Sequence, residues 1–91
     1  MTKAPRPQRY DIALDVKLAD GEGAGACLKR HREDCKSRGL KLEVRMITSD
    51  GGVPVFQFRG TRESLMEFLT GYAGGDRAEG GALFEKYSVA L

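Results

Sequence analysis

Residues 10–18 read YDIALDVKL. Tyr10, Ile12, Leu14, Val16 and Leu18 take every second place, and Asp11, Ala13, Asp15 and Lys17 fill the gaps. Side chains of an extended chain alternate between two faces, so this pattern predicts a strand with one dry face and one wet face. The rest of the chain reads as material that covers the dry face.

The chain has 91 residues, enough for one domain built around one core. Apolar residues make up 41% and charged residues 31%, which argues against global disorder. A net charge of +2 does not by itself announce a nucleic-acid binder. No apolar run approaches the roughly 20 residues of a membrane span. The first nine residues, MTKAPRPQR, are basic with no apolar core behind them, unlike a signal peptide. They read as a flexible basic arm, with residues 10–91 as the domain. The expected compartment is the cytosol.

After the strand comes ADGEGAG. Its glycine spacing fits neither dinucleotide nor P-loop patterns, and Asp20 and Glu22 would repel a phosphate. It reads as a flexible connection. A helix is expected over 24–38, with Gly39 at the position after its C-cap. Ala24, Cys27, Leu28, His31 and Cys35 share one side of it, and Lys29, Arg30, Arg32, Glu33 and Lys36 the other. Cys27 and Cys35 would lie ~12 Å apart along such a helix, beyond the ~7 Å that a disulfide spans. Two free thiols suit a reducing compartment. The triplet Cys27, His31 and Cys35 is of metal-ligand type, but its outer members are too far apart to share one ion. Packing is the better account, with His31 at the core edge and one nitrogen hydrogen-bonded. No metal or cofactor is expected.

Two further strands are predicted over 40–48 and 53–59, joined by Ser49-Asp50-Gly51-Gly52. Val44 and Met46 share a face with Phe56 and Phe58 only if paired residue numbers sum to an even value. A three-residue loop, 50–52, achieves this by pairing Met46 with Phe56 and Val44 with Phe58. Such a loop needs a left-handed residue at its end, which Gly52 would supply. Thr61 then caps a helix over 62–73, with Leu65, Met66, Phe68, Leu69 and Tyr72 as its dry stripe. AGGDRAEGG reads as a loop. A last strand is expected over 82–91, with Leu83, Tyr87, Val89 and Leu91 inward; a short helix over 82–86 is the alternative.

The resulting order, β-α-β-β-α-β, predicts a ferredoxin-like α+β fold. Right-handed crossovers give a four-stranded antiparallel sheet in the order 4-1-3-2, with both helices on one face. One edge would collect the glycines and the acids Asp20, Glu22, Asp50, Asp76 and Glu79 in mobile loops. The opposite edge would bring together Arg6, Arg9, Arg38, Lys41, Arg59 and Arg62, the candidate partner-binding set. Asp11, Asp34 and Glu63 would sit among these cations.

RNA-recognition domains of this topology stack bases on outward aromatics of the two central strands. Here those places hold Asp11, Ala13, Asp15, Val55 and Gln57, so that readout is disfavoured. No Ser/His/Asp set or pocketed acid pair points to catalysis. A dimeric ligand-binding module is a further class, since Ala13, Ile47, Val53, Val55 and Phe84 would give the open sheet a mildly apolar patch. The run Phe58-Arg59-Gly60-Thr61-Arg62-Glu63-Ser64-Leu65, a strand passing into a capped helix, resembles small accessory proteins of phages that infect actinobacteria. The resemblance implies a non-structural phage protein that binds a host or phage component. The sequence therefore favours a non-enzymatic protein-binding module, with nucleic-acid backbone binding or a dimeric ligand-binding domain as alternatives.

Overall fold

A computed structural model describes residues 8–48 and 53–91. The elements are β1 (Arg9–Asp15), α1 (Ala24–Ser37), β2 (Leu42–Thr48), β3 (Val55–Thr61), α2 (Arg62–Tyr72), α3 (Arg77–Tyr87) and β4 (Val89–Ala90). The fold is α+β, with one four-stranded antiparallel sheet ordered β2-β3-β1-β4. Taken from the other edge, those are the neighbours 4-1-3-2. Ile12, Leu14 and Val16 are buried and Tyr10 and Leu18 half-buried, so the alternation in β1 does place the core. The strand begins one residue early, at Arg9, which pairs with Thr61 and so belongs to the sheet rather than to an arm.

Phe56 and Phe58 of β3 are fully buried against Leu65, Phe68 and Leu69 of α2 and Cys27 and Cys35 of α1. The Phe58 and Phe68 rings stack at 4.2 Å. Gly60 ends this inward row. A Cβ there would lie 2.6 Å from Leu42 Cδ2 and 2.7 Å from the Lys41 carbonyl, so close strand approach demands glycine. The chain then passes straight into α2, whose Ser64 N–H donates to Thr61 Oγ1. Helix α1 closes in a Schellman motif: Leu40 N–H donates to Cys35 and Gly39 N–H to Lys36, with Gly39 at φ +70°.

The hairpin register holds at Met46↔Phe56 and Val44↔Phe58. It then shifts, and Thr48 rather than Ile47 opposes Val55. The extra residue makes a bulge that the expected three-residue loop did not contain. The loop itself and the conformation of Gly52 lie outside the described residues. Met46, though on the core face, is 40% exposed because β2 is the sheet edge.

The largest departure is at the C-terminus. In place of a loop and a long strand stands a third helix, α3, followed by only two strand residues. Asp76 starts α3, its carboxylate accepting from Glu79 N–H at 3.0 Å. Phe84 is buried against the Tyr10 ring, 5.1 Å away, and is not on the open face. Tyr87, Val89 and Leu91, expected inward, are exposed. So is Tyr72, whose hydroxyl donates to the Asp15 carbonyl at 2.9 Å. The glycines misled the sequence reading: Gly80 is not a loop residue but the point where α3 touches α2.

Candidate functional site

On the open face of the sheet, Asp11, Arg59 and Glu43 lie in one cross-strand row. Arg59 donates to both Asp11 oxygens, at 2.6 and 3.0 Å, and Gln57 donates to Asp11 at 3.2 Å. Arg9 sits 3.7 Å from Glu43. Cations and carboxylates compensate one another on this face, which offers no aromatic platform among the described residues. The expected apolar patch loses Phe84 to the core.

Of the six cations read from the sequence, the five that are described do not share one set of partners. Arg6 lies outside the described residues. Arg38 caps α1 and staples it to α2, donating to the Glu67 carbonyl at 3.1 Å, with Asp34 at 3.4 Å. Arg59 is held by Asp11 on the open face. Arg62, the first residue of α2, lies over the Phe84 ring and 3.7 Å from Glu85. Topology brings these residues to one region, but their nearest acids and carbonyls turn them in different directions.

Arg9 and Lys41 do meet. They line a hollow of about 410 Å³ with Arg32, Cys35, Lys36, Leu40, Leu42 and Glu43. Arg32 was missing from the predicted set. Its i, i+4 relation to Lys36 on α1, beside an edge strand, was the available signal. Lys36 and Lys41 have no ion-pair partner among the described residues. Arg32 donates from Nε and Nη2 to the Val44 carbonyl, at 3.0 and 2.8 Å.

That contact reveals how the edge strand is turned. Backbone groups alternate sides along an antiparallel strand. Val16 N–H donates to the Pro54 carbonyl, continuing the β1–β3 register, so even-numbered residues of β3 face β1. Odd-numbered ones face β2, where Glu43 opposes Arg59 and Arg45 opposes Gln57. Leu42, Val44 and Met46 therefore point their N–H and C=O away from the sheet. Arg32 covers the Val44 carbonyl, which blunts the open edge.

The acidic connection is anchored. Arg30 donates to Glu22 at 2.9 and 3.0 Å, and Ala19 N–H donates to it at 3.1 Å. The Arg30 hydrogen bonds hold the Glu22 carboxyl at a pKa of about 2. Cys27 and Cys35 are buried free thiols, and burial raises both pKa values. The His31 ring stands steeply inclined to those of Phe56, Phe58 and Phe68, with centroids 5.7, 6.1 and 6.3 Å away. It packs through these rings rather than through the expected hydrogen bond among the described residues. Among those residues no group of three metal-ligand side chains converges, and no helix is long and apolar enough to cross a membrane. Compared with family models, curated proteins and solved structures, the chain finds no match.

Proposed function

We propose that this chain is a non-enzymatic binding module whose partner is a protein with an acidic surface. The observation that carries the reading is the hollow at the β2 edge, where Arg9, Arg32, Lys36 and Lys41 converge from β1, from α1 and from the approach to β2. Complementary charge at such a rim speeds encounter and selects among partners. Glu43 lines the hollow too and pairs with Arg9; a duplex, lying across a broader surface, would also bring its phosphates against Asp11 on the open face. An acidic protein segment needs only the edge.

We read the architecture as a ferredoxin-like βαββαβ arrangement with a helix added before the last strand; the strand neighbours and the α1 crossover support this. The resemblance of residues 58–65 to phage accessory proteins agrees with a small binder acting in a host cytosol, where two thiols stay reduced.

The test measures fluorescence anisotropy of a labelled polyglutamate peptide and a labelled DNA duplex at physiological salt. The peptide is expected to bind, the duplex to bind weakly or not at all, and Lys36→Glu with Lys41→Glu to abolish peptide binding. Tighter binding of the duplex overturns the reading in favour of nucleic acid, and binding of neither ligand overturns it outright.

A further inference from the structure

We infer that the acidic partner adds itself to the sheet as a fifth strand along β2, with its acids gripped by one stripe of α1. The inference rests on the reading above and specifies how the partner is held. Three observations join in it.

The first is the edge. Leu42, Val44 and Met46 present outward N–H and C=O groups along a seven-residue strand, the donors and acceptors that strand addition uses. Among the described residues, Arg32 covers one of these groups, the Val44 carbonyl. A guanidinium at a carbonyl is a removable cover: when a carboxylate arrives, Arg32 exchanges a neutral acceptor for a charged one.

The second is the stripe. Lys29, Arg32 and Lys36 lie at i, i+3 and i+7 on α1, all exposed, so they share one face. The helix runs antiparallel to β2 and Arg32 is level with Val44, so Lys36 lies toward Leu42 and Lys29 toward Met46. Along the axis these cations are about 6 and 4.5 Å apart. Same-face residues of a strand repeat about every 6.8 Å. Directly opposed residues share a face, so partner residues opposite Leu42, Val44 and Met46 point to the helix side, as those core-face residues do. Glutamate or aspartate at every second partner position therefore meets the stripe. The intervening residues lie on the open-face side, next to Glu43 and Arg45, and suit a neutral polar or β-branched residue.

The third observation removes a second copy as occupant. Two β2 strands paired edge to edge would continue one sheet with all helices on one face. The Lys29-Arg32-Lys36 stripes of the two copies would then confront each other. Like charges opposed in this way act against self-pairing.

The test uses a short capped peptide alternating glutamate and threonine, with two derivatives N-methylated on alternate backbone amides. One derivative blocks the amides that face β2, the other those that face solvent. Because the peptide can dock in only one register parity with its acids toward α1, one derivative should lose about tenfold or more in affinity while the other stays close to the parent. Lys29→Glu with Lys36→Glu should weaken all three peptides. Equal binding of both methylated forms and the parent overturns strand addition while leaving the acidic-partner reading in place. Failure of the parent and of polyglutamate alike overturns both. Concentration-dependent dimerisation that the peptide competes away would show that a second copy owns the edge, and overturns the inference.

Discussion

Gly80 of α3 presses against the backbone of Thr70 in α2: a Cβ built on Gly80 would lie 2.9 Å from the Thr70 nitrogen and 3.1 Å from its Cα. The neighbouring Gly81 has no such constraint, since its Cβ would meet only the Met66 methyl at 3.6 Å. Two adjacent helical glycines should therefore respond oppositely to alanine. Gly80→Ala gains about 1 kcal/mol of helix propensity but forces two backbones apart, which costs about 1–3 kcal/mol; net destabilisation is expected. Gly81→Ala keeps the propensity gain and should stabilise by up to about 1 kcal/mol. Urea midpoints of the two variants decide it, and equal shifts would contradict the α2–α3 packing.

Arg59 should behave as a structural cation rather than a binding one. It spends its guanidinium on Asp11. Arg59→Gln is expected to lower the melting temperature and leave affinity for an acidic peptide nearly unchanged. Lys36→Gln should do the reverse. A double-mutant cycle on Asp11 and Arg59 would measure their coupling, and a cycle without coupling would remove the pair from the account.

His31 predicts a pH dependence. Burial against three phenylalanine rings lowers its pKa; Arg30 adds to this, while Asp34 and Glu22 oppose it. The folded state then refuses a proton that the unfolded chain accepts near pH 6.5. Stability is full above that pH and falls as the pH drops through it toward the lower folded value. In His31→Leu the loss that sets in as the pH falls below about 6.5 should shrink, leaving the carboxylates to govern lower pH. Denaturation midpoints across this range test the claim, and an unchanged slope in the variant would count against it.

Cys27 and Cys35, buried and without a converging third ligand among the described residues, should act as packing groups. Native-state labelling by a thiol reagent should be slow and should accelerate with sub-denaturing urea, because the thiols are reached only through opening. A chelator should leave the melting temperature unchanged, and a clear drop would return a metal to the account.

How much of this was written in the residue order differs by element. The β1 alternation, the Phe56 and Phe58 pairing with Met46 and Val44, the Thr61 cap and the Gly39 stop were all legible, because each depends on side-chain period or on one local hydrogen bond. The order of elements then constrains which strands are neighbours. Helix α3 was legible only in part: the alternative helix over 82–86 lies within it, and Asp76 with Glu79 is a local start signal, but Gly80 and Gly81 weaken its helix propensity; contact with α2 and burial of Phe84 stabilise it, and both are tertiary. The candidate site was hidden for a related reason. Charge and topology together bring cations to one side of the molecule, but only the folded structure shows Arg38, Arg59 and Arg62 bound to local acceptors. Likewise, that Arg32 reaches an edge carbonyl of β2 depends on the seating of α1 against that strand, which no spacing along the chain encodes.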